Sequence, residues 1–377
     1  MTDVWSSLVG QERVIATLRR AVAGEGMSHA WLFTGPPGSG RSNAAIAFAA
    51  ALQCLDGGCG KCHACLTVLA GSHPDVSITR SETSVLYIDT MRELVHRAAL
   101  SPVDRRWQVM VIEDADRLGD RTGNTLLKAI EEPTPKTVWL LCAPTLEDVL
   151  PTIRSRSRHI ALATPTSEQV ALFLQQRHDV PAGLAAFAAR ASQGHIGRAR
   201  ALAFDEGSRN RRNEVIRIPG GLTSLGACLN AASNLVDIAN VETNTITDEV
   251  NTREVGELDA TYGSDRAARS SRAYRAALKS LTESQKQRSK RRIMDVVDRC
   301  LGDLMSVYRD TITLQTGARA ELINEEMRAA IEDLGARSTP EQNLRRIDAI
   351  FTAREQMMEF NTTPLLALES MMVSLKV

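Results

Sequence analysis

The stretch "AWLFTGPPGSGRSNAAIAFAAALQC" (30–54) limits the possible folds more than any other. A short apolar run enters a turn rich in glycine and proline. An alanine-rich run at helical period follows. Strand, loop and helix in this order build a phosphate-binding loop, where glycines let backbone N–H groups approach phosphate oxygens. The helix N-terminus adds about half a positive charge. The usual pattern is G-x-x-x-x-G-K-[ST]. Gly35, Gly38, Gly40 and Ser42 are in place, and Arg41 stands where lysine is usual. A guanidinium also binds phosphate, but it is larger and planar and does so from a different point. The alternative reading is a plain glycine-rich connection.

Two more apolar runs, "WQVMVIEDA" (107–115) and "TVWLLCA" (137–143), read as buried strands. Between them "DRTGNTLLKAIEEP" (120–133) is amphipathic and helical, with Pro133 as its stop. Strands alternating with helices predict an α/β module, a parallel sheet with helices on both faces. "VMVIEDAD" ends where a Walker B motif ends. The common order there is Asp for Mg²⁺ and then Glu for the attacking water, whereas this chain has Glu113 and then Asp114. Each carboxylate moves by more than ~1 Å, a misplacement that can cost ~100-fold in rate. The loop is therefore expected to hold ATP with Mg²⁺ better than to hydrolyse it.

Four of the seven cysteines, Cys54, Cys59, Cys62 and Cys65, fall within a dozen residues. Four thiolates suit a closed tetrahedral Zn²⁺ site of structural type, with ligands at about 2.3 Å. Gly57, Gly58 and Gly60 allow the tight turns of a knuckle, and His63 and His73 read as bystanders. The alternative is a set of free thiols.

In the second half no segment reads convincingly as a strand. Pro165 marks a boundary, "TPTSEQVALFLQQR" (164–177) starts a helix that Ser167 can cap, and "ASQGHIGRARALA" (191–203) closes a small helical unit. Segments 293–312, 340–360 and 363–375 are amphipathic and predict a bundle, with Pro340 suited to a first helical turn. Residues 232–265 carry eight acids and one arginine, and residues 266–292 carry ten Lys/Arg and one glutamate. Such blocks read as solvated helix faces, or else as contacts with DNA backbone or a partner. The 45 basic and 45 acidic residues balance, so no global field draws the chain to DNA or lipid. No run approaches the ~20 apolar residues of a membrane span, and the N-terminus shows no signal pattern, so no membrane and a cytoplasmic location are expected.

These features together resemble the clamp-loader AAA+ family of bacterial DNA polymerase III, most closely its delta-prime branch. The resemblance runs through "LVGQERV" (8–14), "SHAWLFTGPPGSGRS", the four-cysteine insertion with "AGSHPDV" (70–76), "VMVIEDADRL", "NTLLKAIEEP" (124–133), "LLCAPTLEDVLPTIRSRSRHI" (140–160) and "NTTPLLALESMM" (361–372). It implies an AAA+ P-loop domain over 1–163 with the knuckle at 54–65, a helical lid over 164–207, and a helical collar over 208–377. It also implies partners: other clamp-loader subunits in a five-membered ring, the sliding clamp and primer-template DNA. The family's S-R-C motif stands here as Ser155, Arg156, Ser157, so the resemblance gives Arg156 the role of an arginine finger for a neighbour's ATP. By itself Arg156 reads as a surface ion pair. The knuckle's first spacing is shorter than the family's, which bears on Cys54. Arg198 stands near the sensor-2 place and Thr145 near sensor 1. The expected function is a scaffold subunit with weak or absent ATPase activity of its own. The alternatives are a gamma/tau-type ATPase motor and a zinc-containing DNA-binding protein.

Overall fold

Apolar runs too short for helices, each closed by a turn, become strands in the first half of the chain. In the computed structural model these are β1 (Ala30–Thr34), β2 (Val76–Thr79), β3 (Gln108–Ile112), β4 (Thr137–Ala143) and β5 (Arg158–Ala161). The structure describes residues 3–80, 86–104, 106–263, 271–360 and 362–376. All strand pairs are parallel, in the order β2-β3-β4-β1-β5. Strands β1, β3 and β4 are buried at every residue, as continuous apolar runs in a parallel sheet should be. The edge strands β2 ("VSIT") and β5 ("RHIA") are only partly buried. Their mixed sequences lack the apolar signal of the central strands, so sequence reasoning passed over them.

The chain divides into two units, Met1–Phe204 and Asp205–Val377. The first holds α1 (Glu12–Val22), α2 (Arg41–Gln53), α3 (His63–Leu69), α4 (Ile88–Ala98), α5 (Asp120–Glu131), α6 (Pro151–Arg154), α7 (Ser167–His178), α8 (Ala182–Ser192) and α9 (Ile196–Phe204). Alternate residues of β1 serve opposite faces of the sheet. Trp31 and Phe33 join α1 and α2 in one core, and Ala30 and Leu32 join α4 and α5 in the other. Trp31 meets Phe48 of α2 edge-on at 5.1 Å. Each large apolar side chain buried this way contributes roughly 1.5–3 kcal/mol. Helix α5 ends at Glu131, two residues before the predicted stop at Pro133. Gln11 clamps the segment after β5, donating to the Ala163 carbonyl at 2.7 Å and accepting from its N–H at 3.3 Å.

Helices α7, α8 and α9 close around a small core of their own, including Val170, Leu174, Ala188 and Leu202. The cap of α7 is Thr166 and not Ser167. Thr166 takes the extended conformation, its side chain accepts from the Gln169 N–H, and the Gln169 side chain returns a bond to the Thr166 N–H. That reciprocal pair makes Ser167 the first helical residue.

Among the described residues the second unit is helical throughout: α10 (Glu206–Gly221), α11 (Leu225–Tyr262), α12 (Arg272–Gln315), α13 (Arg328–Ala336), α14 (Pro340–Met358) and α15 (Pro364–Leu375). The bundle core draws on all six, with Tyr308, Leu301 and Leu304 of α12 fully buried. Pro340 does occupy the first turn of α14, as does Pro364 in α15. The segment read as a helix over 293–312 is the C-terminal half of α12, whose 44 residues also carry most of the basic block. Residues 266–270 of that block lie outside the described residues. The acidic and basic blocks meet across α11 and α12. Arg288 donates to both carboxylate oxygens of Glu254 at 2.9 and 2.6 Å, and the Tyr274 hydroxyl donates to Asp259 at 2.6 Å.

A buried polar network ties α10 to α12 and the segment before α13. The Arg212 guanidinium, 3% exposed, donates to Asp303 at 3.2 Å, to Glu326 at 2.9 Å and to the Asn324 side-chain oxygen Oδ1. Asn324 in turn donates to Ser306 and Asp310, each at 2.9 Å. Replacing Arg212 by Ala strands the Asp303 carboxylate without this cation. Arg212→Ala should cost about 3–5 kcal/mol in the second unit, read from urea unfolding monitored by circular dichroism.

Candidate functional site: a phosphate loop, an exposed arginine and a cysteine knuckle

The loop between β1 and α2 sits where sequence reasoning put it, with Gly40 as the N-cap of α2. Arg41 and Ser42 form the first turn of that helix, whose leading N–H groups have no intrahelical partners. Gly38 has φ 84°, and a Cβ there would fall 2.2 Å from Cγ of His195, just ahead of α9. The loop therefore touches the small helical cluster through a position only glycine fits. Ser39 is 3% exposed, and its hydroxyl has no partner among the described residues. Arg41 turns back on the loop, donating to the Gly35 carbonyl at 2.5 Å.

Glu113 and Asp114 follow directly on β3. Glu113 is engaged by Arg80 at the end of β2, Oε2 to Nε 2.8 Å, while its Oε1 is buried with no partner among the described residues. Burial pushes the Cys142 thiol of β4 up; the charges of Glu113 and Asp114 add to this and Arg41 opposes it. Burial likewise raises the Asp116 carboxyl, with Asp114 adding and Arg117 and Arg41 opposing. The loop arginine and the strand-end carboxylates thus act on one neighbourhood. Thr145 is held locally, its hydroxyl and N–H both reaching Asp148 Oδ2, at 2.8 and 3.0 Å. The Arg198 N–H donates to His195 Nδ1 at 3.3 Å.

Arg156 is elsewhere. It lies in the turn between α6 and β5 and donates to the Thr152 carbonyl at 2.9 Å. Its guanidinium pairs with Glu131 at the end of α5, at 2.5 Å, with both side chains well exposed. β1 and β5 are parallel, with Trp31 opposite Arg158. Gly35 follows β1 and Arg156 precedes β5, so the two occupy opposite ends of the sheet. The five residues of β1 alone span about 16 Å.

All four clustered cysteines come together, Cys54 included, and their sulfurs lie within 4.8 Å of one another. Cys54 and Cys62 sulfurs are 3.7 Å apart. A tetrahedral ion with sulfur ligands at about 2.3 Å needs a separation of about 3.8 Å, so the residues fit. The N–H groups of Cys59 and Cys65 point at the Cys54 and Cys62 sulfurs at 3.4 and 3.5 Å. Burial raises the Cys54 thiol, but the N–H groups of Cys59, Gly58 and Asp56 outweigh it and bring the group down to about 6. Burial pushes Cys65 up. His63 and His73 are not among the clustered donors. His73 is instead buried, with Nδ1 accepting from the Asp75 N–H at 3.1 Å. The N-terminal segment is pinned to the knuckle: the Val4 N–H donates to the Gly58 carbonyl at 3.0 Å, and Trp5 Nε1 to the Gly57 carbonyl at 3.2 Å. A Cβ on Gly58 would lie 2.6 Å from Val4 Cγ2, so this close approach also requires glycine.

Sequence reasoning missed Arg80, Glu131, Ser39 and His195 as parts of these sites. Each meets its partner through the fold, and none stands in a local pattern that marks it.

Residues 10–166 match the sequence model of the family described as DNA polymerase III, delta subunit. The DNA polymerase III subunit gamma/tau of Mycobacterium tuberculosis (strain ATCC 25618 / H37Rv) is 34% identical over 160 residues, 41% of this chain and 28% of that one. The DNA polymerase III subunit delta' of Pseudomonas aeruginosa is 35% identical over 144 residues, 37% of this chain and 44% of that one. The delta' subunit of Bacillus subtilis (strain 168) is 30% identical over 149 residues, 39% and 45% of the two chains. The chain spans less than half the length of these curated relatives.

The purified chain should carry about one metal ion per molecule by elemental mass spectrometry, the stoichiometry of a closed four-ligand site. Cys59→Ser should lower that content and the melting temperature of the first unit together. A metal-free chain with an unchanged melt contradicts the site.

Proposed function

We propose, from the premise that residues 10–166 belong to the family of bacterial DNA polymerase III clamp-loader subunits, that this chain is a delta-prime-type scaffold of the loader. Its chemical contribution is Arg156, lent to ATP bound by the adjacent subunit. The observation that carries this reading is the position of Arg156. It is exposed and lies at the end of the sheet remote from the chain's own loop, held by a half-exposed carboxylate and by neighbours in its own turn, the Thr152 carbonyl and the Ser155 hydroxyl. An arginine so placed is too far to assist at Gly35, and only exposed contacts must open for it to meet an anion on a neighbour. A guanidinium delivered to a γ-phosphate accelerates phosphoryl transfer by about 10³–10⁵-fold.

The chain's own loop holds ATP with Mg²⁺ through Gly35, Gly38, Gly40 and Ser42 and does not turn it over. Two features support this. Arg41 is engaged with the Gly35 carbonyl, and Glu113, in the place of the Mg²⁺ aspartate, is paired with Arg80. Cys54, Cys59, Cys62 and Cys65 hold one structural Zn²⁺, which ties the N-terminal segment to α2 and α3. Residues 1–163 act as the AAA+ domain, 164–207 as the lid and 208–377 as the collar that joins a five-membered ring. The sliding clamp and primer-template DNA are the targets of that ring.

Arg156→Ala should leave assembly of the loader intact, by size-exclusion chromatography, while lowering its ATP turnover by at least about 10³-fold at the adjacent site. Unchanged turnover removes the finger role. The isolated chain should bind a fluorescent ATP analogue without measurable hydrolysis, and Arg41→Lys should tighten that binding. Brisk turnover by the chain alone would favour a gamma/tau-type motor instead.

A further inference from the structure

Helices α11 and α12 run antiparallel, and only part of each helps to build the bundle core. The core's fully buried members end at Ala239 on α11 and resume at Val296 on α12. Beyond those points the hydrogen bonds that join the two helices connect Asn251, Glu254 and Asp259 of α11 to Gln285, Arg288 and Tyr274 of α12. Tyr262 and Tyr274 meet edge-on at 6.0 Å. The two helices form an arm whose inner faces are joined by these bonds.

The outer face of α12 is different. Arg272, Arg275, Lys279, Lys286 and Lys290 are all exposed. At 100° per residue these five positions fall within about 60° of one another, opposite the side of Tyr274 and Arg288 that faces α11. They form a straight row about 27 Å long at 1.5 Å per residue. One acid, Glu283, interrupts the row, and its carboxylate accepts from Gln287 at 2.9 Å. Past Ala239, the exposed acids of α11 are Asp248, Glu249 and Glu257, and they belong to the other helix of the arm.

We propose that this row is a contact for the phosphate backbone of duplex DNA. Charge complementarity argues for a polyanion, and the length of the row matches about eight base pairs at 3.4 Å each. The row contains no aromatic side chain on which an unpaired base could stack, which disfavours single strands. It contains no large apolar residue to enter a lipid interface, which disfavours a membrane. Such a contact is independent of sequence and positions the duplex without reading it. The surface belongs to the chain alone, so it stands or falls separately from the finger role of Arg156.

The test is fluorescence anisotropy of a short labelled duplex titrated with the full chain across a salt series. Two variants carry the same change in net charge: R275E/K279E/K286E on the row, and R319E/R345E/K376E on exposed positions elsewhere in the second unit. The row variant should weaken binding at low salt by about tenfold or more and reduce the slope of log affinity against log salt by about 2–3. The control variant should do neither. Equal losses in both variants, or an unchanged slope in the row variant, overturn the proposal. So does tighter binding of wild type to a single strand, or equal binding to anionic vesicles. A further reading needs no variant: wild-type affinity for duplex that does not fall with salt also overturns it.

Discussion

The parallel hydrogen bonding of the sheet is the constraint on which the first unit depends. Parallel strands cannot be joined by tight hairpins, so every connection must cross the sheet and return, and all strands point the same way. Loops that follow strands gather at one end, and loops that precede them gather at the other. The glycine loop after β1 and the carboxylates after β3 therefore share an end, although far apart in sequence. The turn before β5, with Arg156, is sent to the opposite end by the same rule. One polypeptide thus presents two separate chemical surfaces, one concerned with its own loop and one facing outward.

Much of this was legible in the sequence, for physical reasons that differ by element. β1, β3 and β4 could be read because burial on both faces demands uninterrupted apolar residues. The loop could be read because glycine is required where His195 crowds Gly38. The edge strands β2 and β5 could not, because one side of each meets solvent and tolerates Ser77, Thr79, Arg158 and His159. Ser167 and Thr166 are both able caps, and the reciprocal bond from Gln169 decides for Thr166. The shorter first spacing of the knuckle suggested that Cys54 stood apart, yet the glycine-rich turn brings its sulfur to the others. The partners of Glu113 and Arg156 were out of reach, since ion pairs between distant segments leave no periodic trace.

The two units are stabilised in different ways. In the first, large aromatics and aliphatics press on a sheet, and Cys54 and Cys65 of the cysteine cluster join the same apolar core. In the second, long helices meet over an apolar core, while Arg212, Asp303 and Asp310 place charge in its interior and Asn324 bonds both Arg212 and Asp310. Charges at such depth need geometrically complete partners, so the network fixes one arrangement of α10 against α12 and excludes slipped ones. The charged blocks along α11 and α12 do the same at the surface, since Glu254 meets Arg288 in only one register.

The contact between Arg156 and Glu131 has a consequence for timing. A side chain already docked on its own protein is stowed, and any other partner must first undo that dock. Because both partners are wetted, the undocking is shallow and fast, and dissolved ions weaken it further. A paired cation of this kind leaves that stretch of the surface electrically quiet.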